Sequence, residues 1–487
     1  MHWIDAGIFI IYMISLLLIG FYFLRKNKNA EDYFVSGRNM TRWHIGLSVV
    51  ATDVGGGFSI GLGGLGFVMG LSGSWMLFTG LVGAWLSAVL LIPKIHPLGK
   101  NIKLFTFPQV FGHFFNRRVA LVAGIISAIG YLGFTSSQIL AGAKLASASF
   151  VSLDMGTALI IMGIITVGYT VLGGMNAVIH TDTIQWIVLI GGLCFLGIPL
   201  SYNAIGGYEA IQQTLSKDFL SLGNVGWQQL VNWAVTIIPI WFVGMTLYQR
   251  IYASRNEKEA RKAWFIAGLF EWPVMAFMGV ALGLFARVAA EQGMFEYMGF
   301  ATAAMMDPEM GLPLLLRTIL PIGLMGVMMS VYFSAILSTA DSCLMAASSN
   351  VLTDILHRFY PIDHDSKMML RLSQLFTLLL GVLAILLASI MSNVLSLMLY
   401  SYAFMVSGLF VPLIAALFFN KRNSNAALLS MIGGGSTTVL LTLFVKDLPL
   451  GLDANFYGIL MSLLLFMGGS VLFPTANLTL KTSKHEL

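Results

Sequence analysis

Apolar stretches of about 20 residues, each enough to cross a hydrocarbon core as a helix, follow one another from residue 5 to residue 474 with no long polar segment between them. Inside a bilayer every backbone N–H and C=O must be satisfied by the protein itself, so such a chain can only become a bundle of membrane helices. Thirteen spans are expected, at 5–24, 46–70, 74–95, 119–147, 156–173, 179–200, 228–249, 263–287, 316–350, 370–391, 394–419, 426–446 and 456–474. Composition agrees: 57% of residues are hydrophobic and 10% charged, against about 25% charged in a soluble domain, and the mean hydropathy is +0.84. The expected fold class is all-α integral membrane, with residues 1–487 as one polytopic domain.

Residues 6–23 lack a basic stretch before the apolar run and a small-residue cleavage site, and Arg25, Lys26 and Lys28 follow the run. They are expected to be a first span and not a signal peptide. Of the 27 Lys and Arg, 22 fall on one side of a thirteen-span arrangement. By the positive-inside rule that side is cytoplasmic, which places the N-terminus outside and the C-terminus inside a plasma (inner) membrane. The loops at 201–227 and 288–315, with Glu209, Asp218, Glu291, Glu296, Asp307 and Glu309, then lie outside. The C-terminal "KHEL" would face the cytoplasm, where a lumenal retention receptor has no access. The net charge of +5 records this loop bias and does not call for nucleic acid. Cys194 and Cys343 both lie in apolar segments, with no metal-ligand spacing around them.

An ionised group at the bilayer centre costs roughly 2.5–3.5 kcal/mol on insertion scales, so each polar residue inside a span asks for a reason. They are Asp53, Gln138, Lys144, Asp182, Glu271 and Asp341. In the ninth span, "SAILSTADSCLMAASSNVLTDI", residues Ser334, Ser338, Asp341, Ser342 and Ser349 share one helical face with Thr339 at its edge. Carboxylate and hydroxyl oxygens suit a hard cation. Small residues also serve close helix packing, and for the serines alone both readings stand.

The second span contains "ATDVGGGFSI", a carboxylate followed by three glycines. Each glycine weakens a helix by about 1 kcal/mol relative to alanine, so the span is expected to break there. Freed carbonyls at such a break coordinate cations, and half-helix ends bind charged solute groups. Close packing alone would also use glycine, but would not ask for Asp53. Five spans later, Pro239 and Gly244 interrupt the seventh segment. Two broken spans at that interval are the pattern of a transporter with two five-helix inverted repeats.

"EDYFVSGRNMTRWHIGLSVVATDVGGGF", "VLGGMNAVIHTDTIQ", "LYQRIYASRNEKEARKA" and "AILSTADSCLMAASSNVLTDI" together resemble the sodium:solute symporter family over residues 5–420, in order and spacing. The resemblance implies a LeuT-type core. Residues 1–45 would form a leading helix and loop, 46–200 and 228–420 the inverted repeats, and 421–487 the trailing helices and tail. It implies a sodium site made of the carbonyls of Ala51, Val54 and Ala335 with the hydroxyls of Ser338 and Thr339. Some members hold a second sodium; the matching positions here are Asp182, Asp341 and Ser342, with Asp341 where a serine often stands. One or two Na+ are therefore expected, and one chain is expected to suffice for transport.

The proline-type members share an aspartate at the position of Asp53. The choline transporter has tryptophans where this chain has Phe134 and Gly244, so an aromatic cage for a quaternary ammonium is incomplete. A carboxylate beside bare glycine backbone suits a small zwitterion such as an amino acid. The expected solute site comprises Asp53, Gly55, Gly56, Gly57, Phe58, Phe134, Gln138, Trp241, Thr246 and Tyr402; Asp53 has an alternative role at the ion or a gate. The expected function is sodium-coupled import of such a solute, for example proline. Alternatives are a sodium-coupled carrier of an organic cation, sugar or carboxylate, or an uncoupled facilitator or channel. No nucleophile–base constellation or phosphate loop points to an enzyme.

Overall fold

The computed structural model describes residues 2–26, 38, 40–150, 153–359 and 367–473. Lys28, most of the stretch 31–39, the side chain of Phe58, Lys481, Lys484 and the C-terminal "KHEL" lie outside the described residues. Among the described residues the chain is helical, with one isolated bridge between Met40 and Ser254 and no strand.

The principal helices are α1 (Trp3–Lys26), α2 (Arg42–Val54), α3 (Gly56–Met69), α4 (Trp75–Leu86), α5 (Arg117–Ser149), α6 (Met155–Gly192), α7 (Trp227–Val243), α8 (Met245–Ala253), α9 (Glu257–Leu269), α10 (Ala276–Glu291), α11 (Pro308–Ile319), α12 (Leu324–Ser349), α13 (Lys367–Ser389), α14 (Val394–Phe418), α15 (Ser424–Phe444) and α16 (Ala454–Leu472). Within α6 the Tyr169 and Thr181 hydroxyls meet at 2.8 Å. A straight helix would separate their α-carbons by about 18 Å, so α6 turns sharply between two spans, Met155–Leu172 and Thr181–Ala204.

Among the described residues eleven stretches are long and apolar enough to cross a membrane, or twelve if the bent pair α7 and α8 counts as one span. The expected thirteen is not reached. The second expected span is cut at Gly55 into halves of 13 and 14 residues, each too short alone. Most of its second half runs on through the turn Gly70–Ser74 into α4, giving one apolar stretch, Ile60–Asn101.

Two groups of helices pack against each other. One comprises α2, α3, α4, α7, α9 and α10, and the other α5, α6, α12 and α13, with α1 against α6 and α12. The polar-rich α12 lies innermost: its most apolar window is 94% buried, against 28% for α1 and α16. Its serines and alanines let neighbouring backbones approach closely, and protein surrounds its polar face. Lipid-facing positions are filled instead by residues such as Leu375, Leu379, Val382, Leu386 and Leu464, all exposed.

Lys144, expected as an intramembrane charge, lies near the C-terminal end of α5 and is 4% exposed. Its Nζ is 2.6 Å from both Asp307 Oδ2 and Glu309 Oε2. Glu309 also accepts the N–H groups of Val394 and Leu395 at 2.9 Å, which belong to the unpaired first turn of α14. One triad, buried at Lys144 and Glu309 and open to the surface at Asp307, thus ties α5, α11 and α14 together.

Candidate functional site

Helix α2 ends at Val54 and α3 begins at Gly56, with Gly55 between them at φ −30°, ψ −161°. The break therefore falls within the glycine triplet. At a helix end the last carbonyls and first N–H groups lose their helical partners, and here other helices supply replacements. The Ala51 carbonyl accepts from Ser338 Oγ at 3.0 Å and Thr339 Oγ1 at 3.1 Å. The Gly56 N–H donates to Gln138 Oε1 at 2.7 Å.

The glycines are needed because those partners come so close. A Cβ at Gly55 would overlap Thr339 and sit 2.7 Å from Gln138 Oε1; at Gly56 it would meet Ala141 Cβ at 2.5 Å, and at Gly57 Met398 Sδ at 2.5 Å. Gly55→Ala is accordingly expected to cost about 1–3 kcal/mol through overpacking. Thermal unfolding checks this, with Gly191→Ala as control, since nothing lies within 4 Å of its added methyl.

Four of the five expected sodium ligands are gathered at the break. The Ser338 and Thr339 hydroxyls also lie 2.9 and 3.4 Å from the Ala335 carbonyl, so two carbonyls and two hydroxyls share one place. Such an all-oxygen donor set fits a hard cation. Val54 is the last residue of α2, so its carbonyl lies at the same break.

The second expected cation set differs from expectation. Asp182, Asp341 and Ser342 are fully buried and close together, but Arg250 is among them with no exposed surface. Its Nη2 lies 3.2 Å from Asp182 Oδ2 and donates to Ser342 Oγ at 2.8 Å and to Thr52 Oγ1, while Nε donates to Ser48 Oγ at 3.0 Å. Ser48 in turn donates to Asp182 Oδ2. Arg250, one of the 22 basic residues expected on the cytoplasmic side, lies in α8, where the bend at Gly244 turns it into the interior. A readable signal was the pair Ser48 and Thr52, hydroxyls four residues apart on one face of α2.

The second helix break falls at Gly244 (φ −71°, ψ 114°), where α7 and α8 meet at 40°. Pro239, expected to share in the interruption, stays inside α7. The Thr246 N–H at the new helix start, buried and without an intrahelical partner, donates to the Tyr131 hydroxyl at 3.2 Å, which also meets Thr246 Oγ1 at 3.1 Å. Tyr131 escaped notice because an aromatic residue in an apolar span carries no distinguishing sign.

Among the expected solute residues, Gly55, Gly56, Gly57 and Gln138 converge at the first break. Phe134 and Tyr402 form an edge-to-face pair, with ring centroids 4.9 Å apart and planes at 84°; Tyr131 lies beside Phe134 at 6.4 Å and links this pair to Thr246. Trp241 is brought instead against Gly83 and Trp264. Asp53 is buried, with one carboxylate oxygen lacking a donor.

A multi-pass helical protein with broken spans and polar groups gathered at the breaks is built as a membrane transporter. The model of the sodium:solute symporter family matches residues 33–434, and the chain belongs to that family. It is therefore a transporter and not an enzyme. Relatives include the osmoregulated proline transporter OpuE of Bacillus subtilis (strain 168), 25% identical and covering 88% of this chain and 87% of its own. The sodium/proline symporter of Escherichia coli (strain K12) is 25% identical over 89% of this chain and 86% of its own. Sodium/glucose cotransporter 4 of Mus musculus is 26% identical over 86% of this chain and 65% of its own length. Among solved structures, the substrate-bound outward-open state of a Na+-coupled sialic acid symporter shares the fold, with a TM-score of 0.79 at 21% identity, covering 97% of this chain and 98% of the other.

Proposed function

We propose that the protein imports a small zwitterionic solute, most simply an amino acid such as proline, driven by sodium entry and alternating access. The observation that carries this reading is the break at Gly55, where the Ala51 carbonyl meets the Ser338 and Thr339 hydroxyls. Sodium is placed there, on Ala51, Val54, Ala335, Ser338 and Thr339, with the solute beside it near Asp53 and the glycines. The names of the proline-transporting relatives support the solute class.

Asp182 is already paired with Arg250. The guanidinium thus takes up a carboxylate that a second sodium would need, and one sodium per solute is the reading adopted. Each charge moved inward gains about 2.3 kcal/mol per 100 mV of membrane potential. The loop charges support an N-terminus outside and a C-terminus in the cytoplasm. Residues 46–200 and 228–420 are read as the two repeats that rock against each other.

Ser338→Ala and Thr339→Ala each remove one hydroxyl ligand, and each is expected to raise the half-saturating sodium concentration about tenfold, the scale of one lost bond to a charged group. Uptake into proteoliposomes across a sodium series measures this. An unchanged sodium dependence in both variants would remove the site from this position, and uptake that never exceeds equilibrium would make the protein a facilitator.

A further inference from the structure

A third helix break lies between α9 and α10. The turn Phe270–Met275 has Trp272 in an extended conformation (φ −138°, ψ 123°), and the residue before it is Glu271. Glu271 has no exposed surface, and neither of its carboxylate oxygens has a hydrogen-bond donor. A Cβ at Gly80 in α4 would lie 3.2 Å from Glu271 Cδ, so the glycine there makes room for the carboxyl group. Glu271 also stands beside Asp53, whose Oδ2 likewise lacks a donor.

Two carboxyl groups from two broken spans therefore face one another in the interior. The buried cations are committed elsewhere: Arg250 to Asp182, Ser48, Thr52 and Ser342, and Lys144 to Asp307 and Glu309. Buried charges are stable when paired and hydrogen-bonded, and what this pair lacks is a donor with positive charge. A neutral sugar brings no charge, an anion is repelled, and a quaternary ammonium brings charge but no N–H.

We propose that Asp53 and Glu271 together clamp the cationic nitrogen group of the solute, and that the transporter selects solutes whose cationic group carries at least two N–H bonds, one for each carboxyl group. This rests on reading the Gly55 break as the solute site and adds to it a second carboxylate and a rule of selection. Primary and secondary ammonium groups and guanidinium satisfy the rule. A tertiary ammonium reaches one carboxyl group, and a quaternary ammonium neither.

The test is thermal stabilisation of the purified protein by a fixed panel, measured in sodium and in potassium: glycine, N-methylglycine, N,N-dimethylglycine, glycine betaine, proline, putrescine, agmatine, choline, glucose and acetate. Ligands that bind the folded state stabilise it according to occupancy. Sodium-dependent stabilisation is expected only from members with two or more N–H bonds on the cationic group. For the best of these, Glu271→Gln is expected to weaken binding about tenfold or more, the scale of a lost charge-assisted hydrogen bond, with stabilisation by sodium alone unchanged. That last reading also shows that the variant is folded, and the panel on the unmodified protein needs no variant.

The proposal is overturned if betaine, choline, glucose or acetate is the strongest ligand, if no panel member binds, or if Glu271→Gln binds its solute as before. It is also overturned if Glu271→Gln loses the response to sodium alone and keeps solute selectivity, because the pair then holds the ion. Solute binding equal in sodium and potassium would instead count against sodium coupling, separately from the role of Glu271.

Discussion

Arg250→Met is expected to destabilise the protein by about 3–5 kcal/mol, the cost of leaving a buried charge without its partner. Asp182 has no exposed surface, and its Oδ1 has no donor even with the arginine present. Without the guanidinium, Oδ2 keeps only the Ser48 hydroxyl. The same change removes the bonds from α8 to Thr52 and Ser342 and leaves α2 and α12 joined there only by the 3.2 Å contact between those two hydroxyls, beside the proposed sodium ligands. Thermal unfolding of purified protein measures the loss. The double variant Arg250→Met/Asp182→Asn should recover a large part of it, because removing both charges leaves no unpaired ion. Two losses that simply add would show that the residues act independently.

Lys144→Met should have the second largest effect, about 3 kcal/mol, at the lower end of the same range. It is smaller because the partners differ in exposure: Glu309 is 4% exposed and Asp307 39%. Asp307 can return to water, while Glu309 stays buried with only the Val394 and Leu395 N–H groups. Asp307→Asn is accordingly expected to cost under about 1 kcal/mol, as for an exposed ion pair. Transport should fall along with stability in Lys144→Met, since the Cγ of Glu309 would be 3.3 Å from a Cβ at Gly64 on α3. The triad thus sits directly against α3, the second half of the broken helix. Uptake and unfolding measured on the same preparation separate the two effects.

The two breaks were legible to different degrees. "ATDVGGGFSI" marked its own break, because three consecutive glycines weaken a helix locally, whatever packs around them. Of the two residues expected to interrupt the seventh span, Pro239 stays within the helix, since a proline in a membrane helix can be accommodated by neighbouring groups. The bend falls at Gly244, where the Tyr131 hydroxyl satisfies the freed N–H of Thr246. The hydroxyl face of α12 was readable as periodicity, although periodicity alone could not say whether it served packing or an ion. The Ala51 carbonyl, freed at the break and facing Ser338 and Thr339, is the contact on which the ion reading now rests.

The sequence by itself determined a helical membrane protein, the place where its second span breaks, and the family, whose motifs are short and continuous in the chain. Hydropathy, glycine runs and motifs act through neighbours a few residues away, so they can be read along a line. Only the tertiary structure decided which buried charges meet. Arg250 finds Asp182 across 68 residues, Lys144 finds Glu309 across 165, and Glu271 stands against Asp53 with no cation beside it among the described residues. In an interior without water the energy of a charge depends almost wholly on its partner, and that partner is set by how the helices pack, which no single stretch of sequence contains.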